Sequence, residues 1–219
     1  MTESASTEPR RGLPRINEPA PDFAAKTTHG PRRLADYRGR WLILFSHPAD
    51  FTPVCTTEFI AFARNAERFR ALGAELLGLS IDSNYAHIAW VRNIREKFGV
   101  EIPFPIIEDI SMEVASAYGM IHPGASDTQA VRATFFIDPE GVLRAMVYYP
   151  MSNGRSIEEF LRLLEALQTA DREKVATPEG WRPGDPVIVP PPQTVADADA
   201  RMGQGFDTVD WYFSRRTLG

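Results

Sequence analysis

Short apolar runs alternate along the chain with segments whose apolar residues recur at every third or fourth position. The short runs are typical of buried strands, and the spaced residues are typical of helices that bury one face. This alternation predicts an α/β architecture in which helices cover a sheet and right-handed crossovers join its strands. The predicted strands cover residues 41–45, 74–81, 105–107, 133–137 and 142–148.

Helices are predicted after the first three strands and after the last. Ser83 and Gly99 are suited to begin and end the second helix. Ser156 and Glu159 form a capping box at the start of the last helix, and a short helix is predicted at 112–118. The expected apolar stripes are Phe59, Phe62, Ala66 and Phe69 in the first helix, Ile88, Val91 and Phe98 in the second, and Ile157, Phe160, Leu164 and Leu167 in the last.

Two segments indicate how the chain is divided. Residues 138–141 read Asp-Pro-Glu-Gly, which suits a tight turn and makes the last two strands a hairpin. Residues 181–192 contain five prolines, which favour an extended course. We therefore predict an α/β domain at 13–172, followed by a Pro-rich linker and an extended C-terminal arm at 173–219.

Composition excludes several classes of protein. The chain has 219 residues, of which 43% are hydrophobic and 24% are charged, as in an ordinary globular domain. Its net charge of −5 argues against a nucleic-acid partner. No apolar run approaches the ~20 residues of a membrane span, and residues 1–15 hold no apolar signal segment. We therefore expect a cytoplasmic protein without nucleic-acid or membrane partners.

The candidate chemistry centres on Cys55, the single cysteine of the chain. Thr52 suits a helix N-cap and Pro53 the first helical position, so Cys55 falls in the first turn, where backbone N–H groups are unpaired. A helix N-terminus or a nearby arginine favours the thiolate form of a cysteine. From these residues alone, Cys55 is either a nucleophile or a small buried apolar residue.

The spacing of Pro48, Thr52 and Cys55, followed by Thr-Thr-Glu at 56–58, resembles the peroxidatic motif of the peroxiredoxins, and the preceding His47 is similar to their one-cysteine branch. The likeness extends over roughly residues 13–215. It continues through Val-Arg-Ala-Thr-Phe-Phe-Ile-Asp at 131–138, Asn-Gly-Arg at 153–155, Gly-Asp-Pro-Val-Ile-Val-Pro-Pro-Pro at 184–192 and Asp-Trp-Tyr-Phe at 210–213.

This resemblance implies a thioredoxin-like fold and a hydroperoxide substrate whose O–O bond is attacked by the Cys55 thiolate, which becomes a sulfenic acid. Thr52 would offer its hydroxyl to the peroxide, and Pro48 would limit the access of water. Arg132, with the backbone N–H groups of Val54 and Cys55, would stabilise both the thiolate and the leaving oxygen. No cofactor is implied.

Three further residues are expected to support the site. Glu58 lies one helical turn after Cys55 and could orient Arg132 or Arg155. The alternatives are a helix-dipole contact for Glu58 and a solvated loop charge for Arg155. His47 could tune the charge of the pocket or simply satisfy backbone groups. We expect no metal site, because the histidines are scattered in the sequence.

The C-terminal arm bears on regeneration and assembly. Thr208 and Ser214 stand where related peroxiredoxins carry a resolving cysteine, so an external thiol must reduce the sulfenic acid. The arm carries the aromatic residues Trp181, Trp211, Tyr212 and Phe213. They predict that it packs on a partner subunit, as the resemblance also implies, with folding back on its own domain as the alternative. The first case gives a homodimer that could assemble further into a ring of dimers.

Two other functions stay open from the sequence. The chain could be a redox sensor or a holdase whose assembly follows oxidation of Cys55. It could also be a Cys-His hydrolase that uses Cys55 with His47.

Overall fold

The computed structural model describes residues 12–218 and separates into two compact units, divided after Ile157. Each unit contains its own sheet. The expectation that residues 1–15 hold no signal segment falls mostly on residues 1–11, which lie outside the described part. The predicted boundary between residues 172 and 173 remains a prediction.

The first unit is built around a sheet of five strands with helices on its connections. A separate two-stranded pair precedes it. The elements are β1 Ala24–Ala25, β2 Arg32–Arg33, a 3₁₀ helix Leu34–Tyr37, β3 Trp41–Ser46, α1 Pro53–Ala71, β4 Ala74–Ser80, α2 Asn84–Phe98, β5 Ile106–Glu108, α3 Glu113–Ala117, β6 Arg132–Ile137 and β7 Leu143–Tyr149.

The five strands follow the order β5-β4-β3-β6-β7. β3, β4 and β5 run parallel, while β6 is antiparallel to β3, and β7 is antiparallel to β6. The β6–β7 turn closes as predicted, with Gly141 donating its N–H to the carbonyl of Asp138 at 2.8 Å. Gly141 has φ +77°, a conformation that glycine adopts without strain. The predicted α/β layer with a closing hairpin is confirmed.

Aromatic packing fixes α1 against the sheet. Every residue of β3 is buried, and the stripe predicted for α1 is buried as well. Phe45 of β3 stacks on Phe62 of α1 with ring centroids 4.0 Å apart, and it meets the edge of Phe59 at 5.5 Å. The ring of Phe59 lies over Gly78 of β4, where a Cβ would meet it at 3.2 Å. These contacts determine where α1 begins relative to the end of β3.

The sequence-based prediction of which face of α2 is buried is wrong. Ile88 and Phe98 are exposed, and the buried side chains are instead His87, Trp90 and Ile94. Both sets have helical spacing, but the face that contains Trp90 buries more apolar area and lets the polar groups of His87 find partners. The predicted ends of the helix agree with the structure, since Ser83 caps it and Gly99 follows it in the left-handed conformation.

The second unit follows Ile157 and has more secondary structure than an extended arm. β8 pairs with β10, and β10 with β9, all antiparallel. Within the Pro-rich stretch Trp181 is buried, and its indole N–H donates to the carbonyl of Asp185 at 3.0 Å. The elements from here onward are α4 Ile157–Glu173, β8 Val187–Val189, α5 Val195–Arg201, β9 Asp207–Asp210 and β10 Phe213–Arg216.

Among the described residues, no helix combines the length and the apolar character that crossing a membrane requires.

Packing predicts unequal costs for two phenylalanine truncations. Phe62→Ala removes a ring that is stacked in the core and should lower the free energy of unfolding by about 3–5 kcal/mol. Phe98→Ala, on the exposed side of α2, is the control and should change it by less than about 0.5 kcal/mol. Urea unfolding of both reduced proteins measures the difference. Equal losses would indicate that the face of α2 that contains Phe98 is buried, as the sequence predicts.

Candidate active site

The candidate site forms where the chain passes from β3 into α1. Phe51 is exposed and has φ +56°, which turns the chain just before Thr52 and lets Pro53 begin the helix. Cys55 is therefore the third residue of α1, as predicted, and its exposed fraction is 0%. The backbone N–H groups of Val54 and Cys55 belong to the first turn, where a helix offers them no partner of its own.

Arg132, the first residue of β6, reaches the sulfur from the neighbouring strand. Its Nη1 lies 3.3 Å from Cys55 Sγ and donates to Glu58 Oε2 at 2.7 Å. Its Nε donates to the carbonyl of Met151 at 2.9 Å. The guanidinium is thus held from both ends and buried beside the thiol.

Glu58 joins the two arginines that the sequence singled out. Arg155 donates to Glu58 Oε1 from its backbone N at 2.8 Å and from Nε at 2.9 Å, and it donates to Oε2 from Nη2 at 2.9 Å. Its Nη1 donates to the carbonyl of Ala133 at 2.8 Å. The alternatives of a helix-dipole contact for Glu58 and a solvated charge for Arg155 do not describe this geometry, because both side chains are buried and paired.

The charges of this cluster do not cancel among its three side chains. Burial opposes ionisation of Glu58, but the charge and hydrogen bonds of Arg155, together with the charge of Arg132, hold the pKa of its carboxyl below the usual range. Two guanidinium groups and one carboxylate leave one excess positive charge within this buried cluster. A thiolate at Cys55 would neutralise that charge, and burying an unpaired charge is costly.

Thr52 and Pro48 complete the loop that carries the cysteine. The Thr52 side chain does not cap α1, which corrects the expected N-cap bond. Its hydroxyl instead donates to the carbonyl of Ala49 at 2.9 Å, so the lone pairs of the oxygen stay available as acceptors. Pro48 is buried directly after His47.

His47 is linked through Asp50 to His87, and sequence reasoning selected neither Asp50 nor His87. His47 Nε2 lies 2.8 Å from Asp50 Oδ1, and His87 Nδ1 lies 2.8 Å from Asp50 Oδ2. These two histidines are far apart in the sequence, but the fold brings their ring nitrogens and the carboxylate within 4.8 Å of one another. These separations are ordinary hydrogen-bond lengths. Sequence reasoning missed His87 because it predicted a different face of α2 to be buried.

Cys55 and His47 have different partners. The side-chain hydrogen bond to Cys55 comes from Arg132, whereas His47 bonds to Asp50. A Cys-His hydrolase needs its base within hydrogen-bond reach of the nucleophile. The arrangement therefore does not favour the hydrolase alternative.

Comparisons with known families agree with the two parts of the chain. Residues 16–146 match the AhpC/TSA family. Residues 166–205 match the C-terminal domain of 1-Cys peroxiredoxin.

Relatives match over nearly the whole chain. A peroxiredoxin of Aquifex aeolicus is 58% identical, over 94% of this chain and 98% of the relative. A peroxiredoxin of Methanosarcina mazei is 52% identical, over 91% of this chain and 96% of the relative.

Solved structures confirm the predicted thioredoxin-like fold. A yeast mitochondrial 1-Cys peroxiredoxin superposes with a TM-score of 0.84 at 40% identity, covering 94% of this chain and 100% of that one. A cysteine-to-serine variant of peroxiredoxin 6 from Arenicola marina gives a TM-score of 0.83 at 33% identity, covering 94% and 98%. The chain therefore belongs to the AhpC/TSA family and, within it, to the one-cysteine peroxiredoxins, which are thiol peroxidases.

Proposed function

We propose that the Cys55 thiolate attacks one oxygen of a hydroperoxide and displaces the other as an alcohol or water. The S–O bond forms as the O–O bond breaks, and a proton goes to the leaving oxygen, so that Cys55 becomes a sulfenic acid. The observation that carries this proposal is the 3.3 Å contact between Arg132 Nη1 and Cys55 Sγ, inside a buried cluster with one excess positive charge.

The other residues of the loop have distinct roles in this step. The hydrogen of the Thr52 hydroxyl is engaged by Ala49, so its oxygen can accept the O–H of the peroxide and align the O–O bond. Arg132 and the N–H groups of Val54 and Cys55 stabilise the negative charge that moves onto the leaving oxygen. Pro48 limits the access of water to the sulfur.

Reduction of the sulfenic acid requires a thiol from another molecule, because the chain has one cysteine. Thr208 Oγ1 and Ser214 Oγ lie 3.0 Å apart on paired strands, and hydroxyls cannot form a disulfide. Two external thiols would regenerate Cys55 and leave as a disulfide and water. The yeast relative is described with glutathione and thioredoxin systems, which makes these two systems the first candidates for this chain.

The arm carries the proposed dimer contact. Trp211 and Tyr212, on the turn between β9 and β10, are 46% and 55% exposed in a single chain. Exposed aromatic area of this kind is enriched at subunit interfaces. We propose a homodimer, with a ring of dimers as the larger assembly. The cytoplasm is the proposed compartment, because a reducing environment keeps a lone thiol available.

A sensor or holdase remains the alternative function. No contact in the described residues favours it over turnover. Oxidation-dependent assembly without peroxide turnover would support it.

Peroxide chemistry at Cys55 is tested directly. One equivalent of peroxide should add one oxygen to Cys55, trapped by a sulfenate-selective reagent, while Cys55→Ser should show neither the adduct nor peroxide loss. Mass spectrometry of both proteins measures this. A wild-type thiol that stays unmodified would contradict the proposal.

The regenerating thiol is identified by a donor screen. Peroxide loss is followed with glutathione plus glutaredoxin, with the thioredoxin system, with ascorbate and with small dithiols. Sustained turnover is expected with at least one of the thiol donors. If only one equivalent of peroxide per protein is consumed with every donor, the result would favour the sensor.

Two substitutions of Arg132 separate the effect of its charge from the effect of its planar guanidinium group. Arg132→Gln should lower the second-order rate of peroxide reduction by about 10²-fold or more, because one fixed donor to the reacting charge is lost. Arg132→Lys should recover part of the rate, since it keeps the charge but not the planar fork. Stopped-flow peroxide reduction measures both, with the exposed Arg40→Gln as the control. Equal rates of peroxide reduction in all three variants would show that Arg132 does not take part in the proposed step.

Glu58 predicts a pH-dependent contribution to stability. The pKa of its carboxyl is lower folded than unfolded, so its stabilisation is present above the unfolded value of about 4.3 and is lost as pH falls below it. Glu58→Gln should lower the free energy of unfolding by about 3 kcal/mol at pH 7, and the loss should shrink below about pH 4.

Urea unfolding between pH 7 and pH 3 checks this dependence. The control is Glu67→Gln, which removes an exposed partner of Arg70 and should change stability little at any pH. A loss for Glu58→Gln that is independent of pH would contradict the assigned charge.

A further inference from the structure

His47, Asp50 and His87 form a buried triad between the cysteine loop and α2. Both imidazoles are fully buried, and the Asp50 side chain is almost so. Asp50 bridges the two rings, with each carboxylate oxygen 2.8 Å from a ring nitrogen. The remaining nitrogen of His87, Nε2, lies 3.1 Å from the carbonyl of Ile107. One nitrogen, His47 Nδ1, has no hydrogen-bond partner.

The partners fix where the protons are. The carbonyl of Ile107 can only accept, so His87 Nε2 carries a proton. The two hydrogen bonds to Asp50 need one proton each. The ring nitrogen without a partner, His47 Nδ1, is left for a further proton, and there it would create an unpaired charge in a buried place.

Charged and titratable groups face His47 from several elements. Asp50 bonds to it from its own loop, and Asp82, after β4, accepts the backbone N–H of Asp50 at 2.9 Å. His87 faces it from α2. α1 contacts the ring through Phe59 and carries Cys55 and Glu58 in its first two turns.

We propose that His87 is a positioning residue for peroxide reduction: through Asp50 it holds His47 neutral with its proton on Nε2, and it anchors the loop that ends at Thr52. This rests on the proposed function of Cys55. His87 contacts neither the sulfur nor Arg132 by a hydrogen bond within the described residues, so it acts through Asp50.

The direction of its effect follows from the charges. Burial lowers the pKa of His47, the hydrogen bond and charge of Asp50 raise it, and the charge of His87 lowers it further. Removing His87 should therefore raise the pKa of His47 back towards its ordinary value, because the negative charge of Asp50 loses its second partner. Removing the charge of Asp50 should do the opposite.

Trp90 provides a readout that does not depend on turnover. Its ring lies 5.1 Å from that of His47, centroid to centroid, and a protonated imidazole quenches indole fluorescence more than a neutral one. The chain has four tryptophans, so the difference between each protein and its Trp90→Phe counterpart isolates the contribution of Trp90.

The experiment titrates this fluorescence and the rate of peroxide reduction from pH 8 to pH 4. In His87→Gln the acid transition of both should move up by about one pH unit relative to wild type. In Asp50→Asn the fluorescence transition should move down. His122→Gln, which changes a histidine elsewhere in the same unit, should leave both curves in place.

Circular dichroism establishes that each variant is folded, and either of the two triad variants suffices if the other does not fold. Unshifted transitions in a folded triad variant would overturn the positioning role. So would loss of wild-type activity on treatment with EDTA, which would indicate a bound metal instead. Failure of the proposed function is distinguished from both, because it would appear as an unoxidised Cys55 in the wild-type protein.

Discussion

The contact between Arg132 and the sulfur of Cys55 requires a balance of buried charge. Two guanidinium groups lie beside the start of β6 with one carboxylate between them. An ion pair without solvent is stable only when every charge has a partner and every donor an acceptor. Glu58, the carbonyl oxygens of Met151 and Ala133, and the sulfur supply those acceptors. The nucleophile is thus the counter-ion that the cluster lacks.

The topology of the sheet brings this cluster together. β6 lies antiparallel beside β3, so the start of β6 meets the end of β3, where the cysteine loop begins. Ser46 joins the two strands beyond their ladder, because its hydroxyl donates to the carbonyl of Val131 and accepts from the N–H of Ala133. Arg132 lies between those two residues. Its position relative to Cys55 therefore follows from strand pairing and from the aromatic contacts that seat α1.

Local patterns in the sequence predicted part of the site. The helix-start signals at Thr52 and Pro53 predict Cys55 in the first turn of α1, since neighbouring residues decide where a helix begins. Arg132 could be selected only through the resemblance, because nothing local distinguishes it from other arginines. Its contact with Cys55 spans 77 positions along the chain.

His87 shows why other features were missed. Two faces of α2 satisfied the helical period, and the choice between them depends on Asp50 and on the carbonyl of Ile107, which are distant in sequence. The C-terminal arm was likewise expected to be extended because of its prolines. The strand Val187–Val189 forms because it pairs with residues 214–216, a contact that no local pattern reveals.

Complete burial of Cys55 affects both halves of the proposed catalytic cycle. The residue has no exposed surface, and a hydroperoxide and a reducing thiol are both larger than water. The fixed donors of Arg132 suit the first reaction, because they need no reorganisation as charge moves from the sulfur to the leaving oxygen. The second reaction needs a thiol to approach the sulfenic sulfur in line with its S–O bond. The burial that strengthens the contact between Arg132 and the sulfur therefore opposes the access that both reactants need.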